Sequence, residues 1–144
     1  MISSSNIFNR KIMRVVLCGS YRPEFRATLL RAYHELLVCN CQILSPLQID
    51  LDDDTFPRGT AEKNLIPVEV EKRHLTAIVA SDFLYVNAPG GYIGLSTALE
   101  IGFAIANDIP IFSRDRILET PHCDFVTQVN SVYDALTIVG ATLG

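Results

Sequence analysis

The sequence predicts an α/β fold in which a parallel sheet is covered by helices on both faces. Short apolar runs alternate along the chain with longer segments in which apolar residues recur at helical spacing. This alternation is typical of parallel sheets, since each crossover between two parallel strands needs a connection long enough for a helix. The chain has 144 residues, which is the length of one domain with its own core. We therefore expect a single flavodoxin-like or Rossmann-like domain with about five parallel strands.

The first elements are expected to form a strand, a helix and a second strand. Residues 14–18 are expected to form a strand that ends at a glycine turn, and residues 42–45 a short second strand. Residues 23–38 begin with a proline, which suits the first turn of a helix. One face of that segment carries Phe25, Leu29, Ala32, Tyr33 and Leu36. Residues 46–66 follow as the one long irregular segment, and such loops in compact domains are usually functional lids or mobile segments.

The rest of the chain repeats the alternation. A helix is expected to open at Pro67, and an apolar run predicts a strand over residues 83–87. A glycine-rich turn then leads into an apolar helix over residues 96–107. The last elements are a fourth strand, a fifth strand and a closing helix, over residues 109–112, 125–129 and 132–141.

Composition excludes several classes of protein. Apolar residues make up 49% of the chain and charged residues 19%, which is ordinary for a globular protein and too apolar for a disordered one. The formal net charge is −4 without any basic run, which disfavours a nucleic-acid surface because phosphate binding depends on clustered Lys and Arg. No apolar run approaches the roughly 20 residues that cross a bilayer. We expect a cytoplasmic protein that binds neither nucleic acid nor membrane.

The leader, residues 1–13, differs in composition from the rest. It contains three consecutive serines, Arg10 and Lys11, and the first acidic residue of the chain is Glu24. This faintly matches an organelle transit segment, but the apolar content is too low for a secretory signal. A flexible extension is the favoured interpretation, which leaves residues 14–144 as the folded domain.

Neither the cysteines nor the acidic loop gives a metal-binding pattern. The four cysteines, Cys18, Cys39, Cys41 and Cys123, lack repeating ligand spacing, which favours free thiols in a reducing compartment. The aspartates among residues 50–54 lack the glycine and the terminal glutamate of a calcium loop. We therefore expect no metal and no organic cofactor.

The most informative segment runs from Pro89 to Ala104, where a glycine-rich turn follows a strand and leads into a helix. Its lone carboxylate is Glu100, expected in the first turn of that helix. In an open parallel sheet, ligands bind at the carboxyl ends of strands, and this turn lies at such an end. A carboxylate held there could act as a nucleophile or a general base. The plainer alternative is a capping box with Thr97 as N-cap and Glu100 reaching back to its N–H.

Three segments together resemble the nucleoside 2-deoxyribosyltransferase-like superfamily, which includes nucleotide N-glycosidases. Residues 15–20 (VVLCGS) are similar to its first strand and substrate loop, and residues 74–87 to its central helix and strand. Residues 91–104 (GYIGLSTALEIGFA) resemble its signature helix and are the specific part of the match. The resemblance implies a flavodoxin-like fold, a nucleoside or nucleotide as ligand, and a homodimer or higher homo-oligomer.

The resemblance also implies catalytic roles. In the family, the signature glutamate attacks the anomeric carbon of a ribose or deoxyribose and displaces the base, which places that role on Glu100. His74 stands where active members usually carry an aspartate, and a histidine could donate a proton to the departing base. Val16 stands where many members have a tyrosine that orients the nucleophile. His74 and Val16 are thus departures from the family pattern.

Further residues are expected to hold the substrate. The turn Gly19-Ser20-Tyr21-Arg22 resembles the phosphate-gripping loop of monophosphate-specific members, because a hydroxyl, free N–H groups and an arginine suit a 5′-phosphate. A serine of those enzymes is replaced by Gly94, for which Ser96 or Thr97 could compensate. The candidate substrate-binding residues are Gly19, Ser20, Arg22, Asn87, Gly91, Gly94, Ser96 and Thr97.

Several neighbours of these residues have open interpretations. Asp82 is interpreted as structural, since it begins a strand and can accept N–H bonds from a loop. Asn87 could contact a ligand or close a loop. The rings of Tyr21, Phe56 and Tyr92 could stack on a base or simply pack within their loops.

Two functions of different classes remain. The first is an enzyme that cleaves or exchanges the N-glycosidic bond of a nucleoside or its 5′-monophosphate. Hydrolysis is favoured over base transfer, because the loop with Ser20 and Arg22 indicates monophosphates. The alternative is a non-catalytic nucleotide-binding module of the same fold, which Val16 and His74 motivate. A weaker third hypothesis, a regulatory partner protein, lacks an exposed motif to support it.

Overall fold

Five strands form one sheet in which every pairing is parallel. The computed structural model describes residues 11–47, 66–119 and 121–143. The strands are β1 (Arg14–Gly19), β2 (Gln42–Ser45), β3 (Phe83–Asn87), β4 (Ile111–Ser113) and β5 (Thr127–Gln128). Their spatial order is β2-β1-β3-β4-β5, the order of flavodoxin-like sheets. The predicted fold class is confirmed.

Helices connect the strands on both faces. They are α1 (Arg26–Val38), α2 (Pro67–Ala80), α3 (Leu95–Ala106), α4 (His122–Phe125) and α5 (Val132–Leu143), with short 3-10 helices at Pro23–Phe25 and Pro89–Gly91. Across the three described ranges, no helix has both the length and the apolar character that a membrane span requires.

Some element boundaries differ from the prediction, for local reasons. The helix expected from residue 23 starts as the 3-10 turn Pro23–Phe25 before α1 begins. The fourth strand starts two residues later than expected, because Pro110 has no N–H for the ladder and contributes only its carbonyl, which accepts from Leu84 N–H at 2.9 Å. The fifth strand is shorter than predicted, since residues 122–125 form the single helical turn α4.

The two faces of the sheet bury separate cores. Side chains alternate along β1, so that Val15 and Leu17 enter one core and Val16 and Cys18 enter the other. The first core lies beneath α1 and α5, whose buried residues include Leu36. The second lies beneath α2 and α3. Cys18 therefore faces the two helices that carry His74 and Glu100.

The chain changes direction between β1 and β3, which creates a crevice at their carboxyl ends. After β1 the chain crosses to β2 on one side, and after β3 it crosses to β4 on the other. Gly19 and Asn87 are register partners at this point, and a Cβ on Gly19 would lie only 2.8 Å from the Asn87 carbonyl oxygen. Only glycine fits there, so the last residues of the two strands approach closely. Such a switch point is where open α/β sheets bind ligands.

All four cysteines are free, as the sequence predicts. Cys18 and Cys41 are buried, and Cys39 and Cys123 are half-buried. Most of the leader, the aspartates among residues 50–54 and Phe56 lie outside the described residues, so the predictions made for them stay predictions.

Candidate functional site

Glu100 is a buried carboxylate on the inner face of α3. Its residue exposure is 5%, and α3 begins with Gly94 as N-cap. Glu100 therefore lies in the second turn rather than the first. The capping-box interpretation is wrong, because Thr97 is itself inside the helix and α3 has no acidic residue in its first turn. The helix starts earlier than Thr97 because Gly94 is extended and Leu95 already has helical geometry.

His74 contacts Glu100 across the packed helices α2 and α3. The Nε2 atom of His74 lies 3.4 Å from Oε1 of Glu100. On the other side of the ring, Nδ1 lies 2.6 Å from the hydroxyl of Ser45, the last residue of β2. A neutral imidazole donates from one nitrogen and accepts at the other. When Ser45 donates to Nδ1, the Nε2–H faces the Glu100 carboxylate, and Ser45 thereby orients the ring.

Cys18, which lies on β1 of the sheet, also contacts His74. Its sulfur lies 3.3 Å from Nε2 of His74, and the residue is only 1% exposed. Burial raises the pKa of the Cys18 thiol well above its usual value, and the negative charge of Glu100 raises it further. Cys18 is therefore a neutral thiol beside an ionised carboxylate.

Glu71 interacts electrostatically with Glu100. It lies one turn before His74 on α2. Burial, followed by the charge of Glu100, raises the pKa of Glu71 to about 7. Burial acts to raise the pKa of Glu100 as well, but hydrogen bonds and charge from His74 outweigh it and lower that pKa. Two adjacent carboxyls cannot both ionise easily, and here Glu71 keeps the proton.

Glu71 also has a free acceptor. Its Oε1 atom is buried and has no hydrogen-bond partner among the described residues. Leaving a buried polar atom unpaired costs about 1–3 kcal/mol, which is unusual in a folded domain and often marks a functional position. We call Cys18, Ser45, Glu71, His74 and Glu100 the Glu100 cluster.

The turn after β1 presents Ser20 and Arg22 at the same edge of the sheet. The Ser20 hydroxyl oxygen accepts from the Arg22 backbone N–H at 3.2 Å, which leaves the hydroxyl hydrogen available. The Arg22 side chain is exposed, and its guanidinium forms no ion pair with any residue that the structure describes. Among the described residues, this turn therefore has a hydroxyl donor and a cation that no ion pair of the fold occupies.

Asn87 is the last residue of β3 and forms a hydrogen bond with α1. Its Nδ2 donates to the Thr28 hydroxyl at 3.1 Å. Of the two interpretations of Asn87, this contact favours a role in holding the loops, although the residue still borders the crevice.

The glycine-rich turn after β3 packs against the loop that follows β4. Gly91 is buried with φ +85°, and a Cβ there would lie 2.5 Å from the Arg116 carbonyl oxygen. The Gly91 carbonyl accepts from Leu118 N–H at 3.2 Å, and Gly90 N–H donates to Asp115 at 3.0 Å. Gly91 thus has a structural reason to be glycine in addition to its predicted contact with a sugar.

The remaining predicted contacts lie around the start of α3. Ser96 is exposed, whereas Thr97 is buried with 3% exposure. The Tyr92 ring stacks on Phe25, with 5.3 Å between centroids and 23° between planes. This stack joins the turn after β3 to the turn after β1, across the switch point. In this structure Tyr92 therefore packs within the loops, as one of its two interpretations expected.

Asp82 lies at the amino end of β3, and its structural interpretation is confirmed. Its carboxylate accepts from the Arg14 backbone N–H at 2.8 Å and from the Arg14 guanidinium at 3.4 Å. Lys11 forms a further ion pair at 3.5 Å. Burial acts to raise the pKa of Asp82, but the Arg14 and Lys11 contacts outweigh it and lower that pKa.

A groove of about 470 Å³ runs between β2 and α2. Its lining includes Ser45, Lys72 and Arg73, and it touches the Glu100 cluster only through Ser45. Apart from Ser45, the residues of the cluster therefore lie outside this groove.

Three members of the cluster were not identified from the sequence. Glu71 could have been found, because residues three apart on a helix share a face and His74 was already a candidate. Cys18 and Ser45 had a weaker signal, since both lie at the ends of predicted strands but are residue types that cores also bury. Cys18 and Ser45 both lie close to His74 because β1 and β2 pair side by side in the sheet.

Comparison with known proteins adds no family assignment. No protein-family model matches the chain, and no curated protein matches it significantly.

Proposed function

We propose that the protein cleaves the N-glycosidic bond of a nucleoside 5′-monophosphate or nucleoside, with hydrolysis favoured over transfer to another base. The observation that carries the proposal is Glu100, a buried carboxylate with a lowered pKa, held against His74 beside the carboxyl ends of β1 and β3. An ionised carboxylate at a ligand-binding edge is the group that a glycosyl transfer through a covalent intermediate requires.

Glu100 is the proposed nucleophile. Its carboxylate oxygen forms a bond to C1′ of the sugar while the C1′–N bond breaks, and the bonding electrons leave with the base. Water then attacks C1′ of the glycosyl ester, Glu100 departs as a carboxylate, and the proton lost by water passes to a neighbouring base. With an acceptor base in place of water, the same ester would give transfer.

His74 and Glu71 are the proposed proton donors. The departing base needs a proton on its nitrogen, and a donor whose pKa is near neutral supplies it best. Glu71, with its pKa raised to about 7, meets that condition. His74 contacts Glu100 directly and is oriented by Ser45, so it can deliver a proton or hold the nucleophile in place.

Ser20 and Arg22 are proposed to bind the 5′-phosphate. The Arg22 guanidinium, which has no ion pair within the described ranges, and the available Ser20 hydroxyl suit a phosphate dianion. Gly19, Asn87, Gly91, Gly94, Ser96 and Thr97 are the remaining proposed substrate contacts. No cofactor or metal is needed for this chemistry.

A homo-oligomer is proposed from the outer face of α3. Leu95 is 93% exposed and Leu99, one turn later, is 55% exposed. Leu118 is 73% exposed in the loop that packs on the glycine turn. Exposed leucines near a candidate site are typical of a contact between subunits.

The second candidate function is a nucleotide-binding module without turnover. It is favoured by Val16, which is fully buried and offers no hydroxyl to orient Glu100. It is also favoured by the burial of the Glu100 side chain, which is only 6% exposed. A module of this kind would be stabilised by ligand without releasing base.

Release of free base separates the two candidates. Purified protein would be incubated with ribo- and deoxyribonucleosides and their 5′-monophosphates, and free base quantified by chromatography. Glu100→Gln keeps the side-chain shape but removes the nucleophile, so we expect base release to fall about 10³-fold or more. The matched control is Glu119→Gln, an exposed carboxylate outside the cluster, which should retain full activity.

Unchanged release by Glu100→Gln would refute the nucleophile assignment. Thermal stabilisation of the wild type by a monophosphate, without base release from any substrate or with any added acceptor base, would establish the binding module instead.

A further inference from the structure

Three potential metal ligands converge within the Glu100 cluster. They are Sγ of Cys18, Nε2 of His74 and a carboxylate oxygen of Glu100, and all three atoms lie within 4.8 Å of one another. Cys18 and Glu100 are buried, and the His74 side chain is only 12% exposed. They come from β1, α2 and α3, so no spacing in the sequence could reveal them as a set.

The distances between these atoms suit a tetrahedral zinc site. Bonds of about 2.3 Å to sulfur, 2.05 Å to nitrogen and 2.1 Å to oxygen, at tetrahedral angles, separate S from N by about 3.6 Å and N from O by about 3.4 Å. The observed separations are 3.3 Å between Cys18 and His74, and 3.4 Å between His74 and Glu100. Two of the three separations between ligand atoms therefore lie within a few tenths of an ångström of zinc geometry, and the third, between Cys18 and Glu100, is at most 4.8 Å.

The contact at the second ring nitrogen of His74 is also typical of a histidine that binds metal. A histidine that ligates metal donates its other N–H to an oxygen nearby, which fixes the tautomer and the ring. Nδ1 of His74 has such a partner in the Ser45 hydroxyl at 2.6 Å. In the tautomer where Nδ1–H donates to Ser45, the Nε2 lone pair points between Cys18 and Glu100.

We propose that Cys18, His74 and Glu100 form a binding site for one divalent transition-metal ion of the zinc class. The sulfur and imidazole donors select zinc-like ions over magnesium and calcium, which prefer oxygen ligands. Binding of the ion displaces the Cys18 thiol proton to solvent, and the resulting thiolate together with the Glu100 carboxylate balances the charge of the ion. Three protein ligands leave a fourth position open for water or another small ligand.

The metal site does not rest on the proposed N-glycosidase activity. Where both hold, they compete, because a bound ion occupies the Glu100 oxygen that would attack the sugar. Metal binding is therefore tested on the protein alone, with no substrate present.

Zinc chloride would be titrated into metal-free, reduced full-length protein, with a chromophoric chelator reporting free zinc. We expect one ion per chain. Cobalt chloride would be used in parallel, because a tetrahedral cobalt ion bound to thiolate gives intense visible bands and a near-ultraviolet sulfur-to-metal charge-transfer band. Absence of zinc uptake by the wild type would refute the site.

Variants distinguish this site from adventitious binding at thiols. Cys18→Ser should weaken zinc binding by about 100-fold or more and abolish the charge-transfer band, and Ser45→Ala should weaken binding about 10- to 100-fold. Cys41→Ser is the matched control, since Cys41 is a buried thiol in the opposite core. It should bind zinc as the wild type does.

Equal zinc affinity in the wild type and Cys18→Ser would overturn the proposal, as would an equal loss in Cys18→Ser and Cys41→Ser. If Cys18→Ser fails to fold by circular dichroism, His74→Gln takes its place with the same expected loss of zinc affinity.

Discussion

Asp82 and Glu100 are carboxylates with nearly the same burial and different surroundings. Their side chains are 7% and 6% exposed, and the pKa of each is lowered. Asp82, at the amino end of β3, is held by a backbone N–H and two permanent cations. Glu100, on α3, is held by an imidazole, a thiol and a second carboxyl, all of which can exchange protons.

This difference distinguishes a carboxylate held by fixed partners from one held by titratable partners. Fixed donors and cations compensate the charge of Asp82, so its ionised form stabilises the folded state. The partners of Glu100 are themselves titratable, so the cluster titrates as coupled groups. Perturbed carboxyls surrounded by titratable groups are the ones that catalytic sites use.

The largest effects are expected from two substitutions, one at each carboxylate, which should change different properties. Asp82→Asn should lower the free energy of unfolding by about 1–3 kcal/mol, because Arg14 loses its charged acceptor. It should leave base release, measured per folded molecule, unchanged. Glu100→Gln should change stability less, since its neighbours can adjust their protonation, while abolishing base release.

The pair would be compared by urea unfolding and by the chromatographic assay. If Asp82→Asn reduced base release as strongly as Glu100→Gln, the expected difference in role between the two carboxylates would be wrong.

The pH dependence of stability sharpens the comparison. The pKa of Asp82 is lowered in the folded state, so its stabilising effect is fully present above its unfolded pKa of about 3.9. It is lost as the pH falls further, through the folded pKa. The difference in unfolding free energy between the wild type and Asp82→Asn should therefore be largest near neutral pH and shrink in acid.

Urea midpoints of both proteins at about pH 7 and at about pH 3 would measure this difference. A difference that stayed constant across this range would show that the charge of Asp82 does not stabilise the fold.

The smallest expected effect concerns the outer partner of Asp82. Lys11 is 61% exposed and forms its ion pair at 3.5 Å, so water and salt screen the interaction. Lys11→Gln should lower the free energy of unfolding by no more than about 1 kcal/mol. Thermal denaturation at low and at high salt would measure it, and a loss as large as that of Asp82→Asn would mean that Lys11 is the main partner.

Much of the fold could be predicted because local patterns agree with it. The apolar runs of β1, β2 and β3 are bounded by turn residues, and Pro67 begins α2 as expected. The prediction was weakest at β4 and β5, where Pro110 shortens the ladder and a helical turn replaces part of the expected strand. Strands of two or three residues depend on their neighbours in the sheet more than on their own residues.

The candidate site was predicted only in part. Glu100 and His74 were named from the signature segment and its resemblance, and the structure brings them within 3.4 Å of each other. The alternative interpretation, in which Thr97 and Glu100 form a capping box, is wrong, because α3 begins at Leu95 with the extended Gly94 as its N-cap.

The sequence by itself determined the order of strands and helices and the parallel sheet. It also indicated Glu100 as the candidate site carboxylate. These follow from periodicity, turn residues and one glycine-rich segment, all of which act over short distances along the chain. Only the tertiary structure decided which side chains surround Glu100. Cys18, Glu71 and His74 reach it from β1 and α2, and Ser45 at the end of β2 contacts His74, because the pairing of β1 with β2 and the packing of α2 on α3 bring distant residues together.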